Sequence, residues 1–307
     1  MQRTVAAKVS FSGVGLHSGA PVQLRLLPAP ADHGIWFERT DIAPAEGNRI
    51  PARWDCVVDT RLCSRLGNDS GISVSTVEHL MAALAGCGIT NVLVQLDGPE
   101  VPILDGSAAP FARAILQAGI TPQAAPLRVL RILAPVEVSE GGATARLEPA
   151  DEFEIRFEID FADAAIGRQQ KALRMANGAF LRELCDSRTF CREADVTAMR
   201  ASGLALGGSL ENAVVVDGAR ILSPGGLRHA DEPVRHKMLD ALGDLALAGA
   251  PVLGRYVGLR AGHGITNRLL RQLFATPGAC ALVPCTGAMC DRLPGAGIGI
   301  EDLADCA

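Results

Sequence analysis

Along this chain apolar residues alternate with polar ones through many short stretches and recur at helical spacing through a few longer ones. The two patterns follow one another in the same order twice. Residues 3 to 27 read as two strands, TVAAKVSF and APVQLRLLP, joined by GVGLHSG, whose glycines suit a turn. Short strands are expected around 33 to 39 and 49 to 66, with LGNDSG turning the chain before ISVST. Ser75 and Glu78 have the spacing of a capping box for a helix over STVEHLMAALAGCG, in which Leu80, Ala83 and Leu84 pack. A strand, NVLVQLDG, a Pro- and Gly-rich loop and a helix, PFARAILQAGI, complete this half. Pro and Ala break the periodicity at residues 121 to 126, after which strands resume with LRVLRILAPVEV and continue at 143 to 148, 153 to 161 and about 168 to 174. The amino part of GAFLRELCDSRTF is helical, residues 191 to 216 are of mixed character, and a helix within 229 to 249, a strand, VLGRYVGLRAG, and a helix, ITNRLLRQLFA, close the second half. The expected division is an α+β domain over 1–124, a second over 125–277 with an insertion near 191–216, and a tail over 278–307. No residue-level repeat accompanies the repeated order of elements.

The helix in HADEPVRHKMLDALGDLALAG has two faces of different kind. Asp231 or Glu232 is placed to cap it, Pro233 fits its first turn and Gly249 marks its end. At about 100° per residue, Val234, Met238, Ala241 and Leu245 share a narrow apolar arc, opposite His236, Asp240, Gly243, Asp244 and Leu247. Taken alone, such a polar stripe describes a solvated face. It also places an imidazole and a carboxylate one turn apart, the spacing at which two side chains share a metal ion.

Composition narrows the choices. The 307 residues suffice for two cores, and no uncharged apolar run is long enough to span a bilayer despite a hydrophobic content of 48%. The amino terminus alternates like a strand and carries no export signal, so the cytoplasm is the expected compartment. Nine cysteines, an odd number scattered through apolar segments, are expected as reduced thiols; near the carboxyl end Cys280, Cys285, Cys290 and Cys306 have a CxxxxC spacing that loosely fits structural zinc, and reduced thiols are the preferred reading there too. A net charge of −5 without a basic cluster argues against a nucleic acid partner and for a small molecule. Lysine is scarce: of 29 basic residues only Lys8, Lys171 and Lys237 are lysines, so the one on the striped helix is informative.

His79 is the natural companion of His236 and Asp240, since two histidines and one carboxylate form a common catalytic zinc set with one position left for water. Glu78 is offset by about 100° around its helix, where it flanks the ion without ligating it, the place of a general base. The competing reading leaves Glu78 to its capping box. His17, on the loop between two strands, is expected at the surface.

The segments FSGVGLHSG, STVEHLMAALAGCGITN, PILDGSAAPF, SRTF, LGGSLENAVVVD, EPVRHKMLDALGDLALAG and GHGITNRLL, in this order, closely resemble the UDP-3-O-acyl-N-acetylglucosamine deacetylase family, which catalyses the committed step of lipid A synthesis. The resemblance runs from about residue 3 to 274. It implies a two-domain β-α-α-β sandwich whose helices face each other across the site. It further implies zinc on His79, His236 and Asp240, with iron(II) the alternative in the cell, and Glu78 as the base that takes a proton from the attacking water. His263 would stabilise the oxyanion as a cation and protonate the departing amine, Asp244 would orient it, and the Thr189 hydroxyl would assist. Lys237 would meet the nucleotide diphosphate, Phe161 the uracil, and Phe190 the mouth of the acyl groove. That groove would be walled by Val196, Leu204, Gly208, Leu210 and Val215 of the insertion, with Leu16 opposite.

The implied reaction is hydrolysis of UDP-3-O-((R)-3-hydroxyacyl)-N-acetylglucosamine by a cytoplasmic monomer with no membrane span. A non-catalytic binder of such a ligand and a zinc amidohydrolase on another N-acetylated sugar stay open as alternatives. Two departures from the family pattern stand out. Ala162, Asp163 and Ala164 replace an Asn, His, Pro run after Phe161, and Thr266 stands where relatives carry Leu beside the histidine segment.

Overall fold

The computed structural model describes residues 1–303, so Cys306 and the end of the expected tail lie outside the described residues. Alternation along 21 to 28 (Val22, Leu24 and Leu26 buried, Gln23 and Arg25 exposed) is that of a sheet with one covered face. This strand, Pro21–Pro28, pairs on one side with Val9–Val14 and on the other with Val92–Leu96, which continues to Ile35–Arg39 and Arg49–Pro51. Every pairing in this five-stranded sheet is antiparallel except that of Ile35–Arg39 with Val92–Leu96. The second half builds the same sheet again, in the order Val136–Glu140, Ala143–Glu148, Arg255–Leu259, Glu154–Asp160, Arg168–Arg174. Its single parallel pair again joins the third strand in sequence to the last, Glu154–Asp160 with Arg255–Leu259. The duplication inferred from element order thus extends to strand order and polarity. The fold is α+β, as expected.

Six α-helices occur among the described residues: α1 (Glu78–Gly86), α2 (Ala109–Ala118), α3 (Ala179–Glu183), α4 (Glu193–Ala201), α5 (Glu232–Ala246) and α6 (His263–Ala275). α2 rests on the first sheet, α5 and α6 cover the second, and α1 lies along α5 where the halves meet. The α1–α5 approach is main chain to main chain. A Cβ added at Gly243 would stand 2.0 Å from the Glu78 carbonyl oxygen, so only glycine fits there. At the far end of α1, Gly86 carries the face of the Phe180 ring from α3 in the same way.

Local structure corrects several expectations. The capping box does not form: α1 starts at Glu78 behind Val77, and neither helix end there nor the start of α5 has a side-chain cap. Ser75 instead belongs to an extended segment whose amide donates to Pro99 O, while the Glu78 carboxylate turns toward the loop before it. Asp231 accepts from Arg235 and Lys171, and Glu232 from Arg188, so both acids are engaged elsewhere. The α5 stripe is not solvated, because His236, Asp240, Gly243 and Asp244 are all buried beneath the opposite half. Within the stretch set apart as a tail, Cys280–Pro284 pairs antiparallel with Arg128–Ile132. Beyond it the chain returns to the first half, where Gly295 O accepts from Arg3 and Leu303 is buried. Cys285 and Cys290 are joined in a disulfide, against the expectation of reduced thiols, because the turn between them brings their Cα atoms to 5.7 Å.

Candidate metal centre and active site

The first turn of α1 and the middle of α5 face each other across the Gly243 contact. This places His79, His236 and Asp240 together although 157 residues separate the two histidines in sequence. Their ligand atoms all lie within 4.8 Å of one another. Asp240 Oδ1 is 3.3 Å from His236 Nε2 and 3.6 Å from His79 Nε2, close to the ~3.3 Å that tetrahedral ligation at zinc bond lengths requires. The imidazole of His236 is aimed: its Nδ1 lies 3.0 Å from the Ser187 carbonyl, to which it donates, leaving Nε2 as the ligand atom. Burial, with His79 and Lys237 nearby, lowers its pKa to about 4 against the pull of Asp240, which keeps the ring neutral as ligation demands. Asp240 Oδ1 is buried and has no hydrogen-bond partner among the described residues. A buried carboxylate oxygen with no donor is costly, and a cation held by all three side chains removes the cost. The residues therefore fit a metal ion.

Flanking this triad is an acid–base set. Glu78 Oε2 accepts the Ser64 amide at 2.9 Å, and its other oxygen lies 3.9 Å from His263 Nε2. Burial raises the Glu78 pKa against the opposing pull of His263 and His79. His263, at the first position of α6, has Nδ1 2.8 Å from Asp244 Oδ2, and Asp244 Oδ1 in turn accepts the Ser64 hydroxyl at 2.6 Å. Burial alone would lower the His263 pKa, but the carboxylates of Asp244 and Glu78 outweigh it and lift it to about 9. The ring is cationic at neutral pH.

The SRTF loop passes beside α5. Thr189 is fixed through its main chain, its amide donating to Gly106 O at 2.8 Å and its carbonyl accepting from Val214 at 2.8 Å. Just before it, Arg188 forms a buried pair with Glu232, whose carboxylate accepts from the Arg188 amide, from the guanidinium and from the Arg228 amide. The loop that bears Ser187 O and Thr189 is thereby pinned to the first turn of α5. Phe190 lies edge-on to His236 at 6.2 Å between ring centres and to Phe161 at 5.4 Å. Lys237 donates to Asp240 Oδ2 at 2.8 Å, pointing at the triad. Burial disfavours its charge, yet Asp240 raises its pKa overall. Asp163, in the stretch that departs from the family pattern, turns the chain by accepting two amides and lies 3.8 Å from Arg192. Thr266, the other departure, is buried with its hydroxyl 3.0 Å from that of Tyr256, the sole tyrosine.

Of the expected groove residues, the structure brings Leu16 and Gly208 together: the insertion lies on the GLHSG loop, with Gly207 donating to Leu16 O and Leu206 to His17 O. Val196 and Leu204 are half-buried, Val215 is buried in Val214–Asp217, and Leu210 is 42% exposed. His17 is not a surface residue, as expected, but buried; Glu100 builds its loop by accepting the His17 and Ser18 amides and the hydroxyls of Ser18 and Thr76. Sequence reasoning missed Ser64, Glu100 and the Arg188–Glu232 pair. Only Glu100, an acid set between prolines in PEVP, carried any signal.

Two imidazoles and a carboxylate around one point, flanked by a buried carboxylate and a cationic imidazole, define a hydrolase of the metal-dependent kind. The model of the LpxC family, UDP-3-O-acyl N-acetylglycosamine deacetylase, matches residues 2–275, and the chain belongs to this family. It is 53% identical over 278 residues to the UDP-3-O-acyl-N-acetylglucosamine deacetylase of Phenylobacterium zucineum, covering 91% of this chain and 94% of that one. Identity to the enzyme of the same name from Anaeromyxobacter dehalogenans is 51%, with 93% and 91% covered, and to that of a Shewanella species 48%, with 92% of each. No helix among the described residues is long and apolar enough to cross a membrane.

Proposed function

We propose that this chain hydrolyses the acetamide of UDP-3-O-((R)-3-hydroxyacyl)-N-acetylglucosamine to the free amine and acetate, the committed step of lipid A biosynthesis. The observation that carries the proposal is the His79, His236 and Asp240 triad with Glu78 and His263 on its flanks. Zinc, or iron(II) in its place, would be held by these three side chains and would supply Lewis acidity toward water and the carbonyl oxygen. Glu78 takes a proton from the water as its oxygen bonds to the acetamide carbon, a role suited to a carboxylate whose pKa burial has raised. His263, cationic and held by Asp244, stabilises the oxygen that gains charge, and the Thr189 hydroxyl assists it. When the C–N bond breaks, the proton on His263 passes to the leaving nitrogen, giving amine and acetate.

Lys237 serves the diphosphate by leaving Asp240, and Phe161 and Phe190 present ring faces and edges to the nucleotide and to the groove mouth. The acyl chain lies between Leu16 and the insertion, against Val196, Gly208, Leu210 and Val215. We place the enzyme in the cytoplasm as a monomer of two domains, 1–124 and 125–277. Acetate release from this substrate, measured with and without a chelator, tests the reading. Release that the chelator abolishes and zinc restores is expected; substrate binding without release would identify a non-catalytic relative, and release only from other N-acetylated sugars a different amidohydrolase.

A further inference from the structure

Ser64 uses all of its polar groups at the junction of the acid and the base. It lies on the loop between Val57–Asp59 and Arg65–Gly67 and is 1% exposed. Its amide donates to Glu78 Oε2 at 2.9 Å, its hydroxyl to Asp244 Oδ1 at 2.6 Å, and its carbonyl accepts from Val77, the residue that opens α1. One residue of the first half therefore holds the carboxylate of α1 and, across the interface, the carboxylate of α5 that grips His263 on α6. The loop is held in an unusual shape to do so, with Leu62 two residues earlier at φ 67°, a region that side-chain-bearing residues seldom occupy.

We propose that Ser64 is a positioning residue that sets the base and the acid of the reaction in register, a role that rests on the deacetylase reading above. By occupying Glu78 Oε2 it leaves Oε1, the oxygen nearer His263, as the one that meets water. By donating to Asp244 Oδ1 it satisfies one oxygen of a buried carboxylate and fixes the plane in which the other receives the His263 Nδ1 proton. A charge-assisted bond of this kind is among the stronger ones, and its geometry passes directly to the imidazole. The neighbouring Cys63 thiol is buried, and burial beside Glu78 pushes its pKa up to about 12, so it stays protonated.

The experiment compares Ser64→Ala and Ser64→Thr in the zinc-loaded enzyme. Alanine keeps the amide bond to Glu78 and removes only the hydroxyl; threonine restores it. Expected for Ser64→Ala is a fall in kcat on the order of tenfold to a hundredfold, with KM, bound zinc and melting temperature close to wild type, and recovery of most of kcat in Ser64→Thr. The low-field proton resonance of the His263 Nδ1–H, identified by its loss in His263→Gln, is expected to move in Ser64→Ala and return in Ser64→Thr. An unmoved resonance would overturn the proposal, as would a fall in kcat matched by loss of zinc and melting temperature. The resonance is read without turnover, so a wild-type protein lacking chelator-sensitive acetate release would defeat the functional reading while leaving this placement of Ser64 separately measurable.

Discussion

Replacing Gly243 by alanine is the sharpest perturbation the fold offers, because it acts on the distance between two helices and touches no functional side chain. The added Cβ would stand 2.0 Å from Glu78 O, 2.8 Å from Glu78 C and 3.1 Å from Ala82 N, all main-chain atoms that no rotamer change can move. Ordinary contact begins at 3.4 Å, so α1 and α5 must part by roughly 1.4 Å at this point. Metal sites tolerate about 0.2 Å of error in ligand distance, and His79 is the neighbour of Glu78. Alanine gains ~1 kcal/mol of helix propensity over glycine, but overpacking costs about 1–3 kcal/mol, and more where backbone must yield. The expected Gly243→Ala protein folds with a lower melting temperature, binds zinc at least tenfold more weakly in competition with a chromophoric chelator, and gains less thermal stability from zinc than wild type. A variant that held zinc with wild-type affinity would refute the claim that this contact sets the ligand spacing.

Further outcomes follow from the same geometry. Glu78→Ala is expected to retain zinc by elemental analysis and lose most turnover, whereas His79→Ala loses the metal; equal zinc loss in both would refute the division of roles. With its pKa raised from 6.5 to about 9, His263 delivers its ion-pair stability fully below 6.5, and this is lost as pH rises through about 9. The rate, which needs the cation, should fall over the same alkaline range, and Asp244→Asn should move that limb to lower pH; an unmoved limb would exclude Asp244 as its cause. Glu232→Gln strands the buried Arg188 charge and should cost about 3–5 kcal/mol in denaturant unfolding, while the double change Arg188→Met with Glu232→Leu costs less. A double variant as unstable as the single one would show that the pair matters for its shape and not its charge.

Much of the fold could be read from the sequence because strand alternation and helix periodicity are local signals. Val22, Leu24 and Leu26 announce a one-sided strand without reference to any partner. The repeated strand, helix, strand, helix order was legible for the same reason, although strand order and the parallel pair were not, since sheet pairing is non-local. Helix capping failed where tertiary demand outweighed local preference: Glu78, Asp231 and Glu232 all sit at cap-like positions, and each is claimed by a distant donor, Ser64, Lys171 or Arg188. The α5 stripe looked solvated because polarity along a helix reports side-chain type and not what lies opposite. His236 and Asp240 were paired with His79 on residue type and spacing, the resemblance then implied a metal on them, and the structure adds the geometry that gathers them. Ser64 could not be found from sequence at all, because a lone serine in a short loop carries no periodicity and no motif. The Cys285–Cys290 bond was missed because odd cysteine counts describe the chain as a whole and say nothing of one tight turn.

The straddling of the triad across the two halves also has a consequence in time. Residue 79 leaves the ribosome long before residue 236, and at about 5–20 residues per second the gap of 157 residues lasts roughly 8 to 30 seconds. Through that interval the first turn of α1 carries a histidine with neither His236 nor Asp240 opposite it, and the Glu78 carbonyl and Ala82 amide lack the Gly243 contact. Until α5 is made, the first half holds only one member of the set. On the deacetylase reading, a metal held by all three side chains would be bound only after both halves have been made and docked.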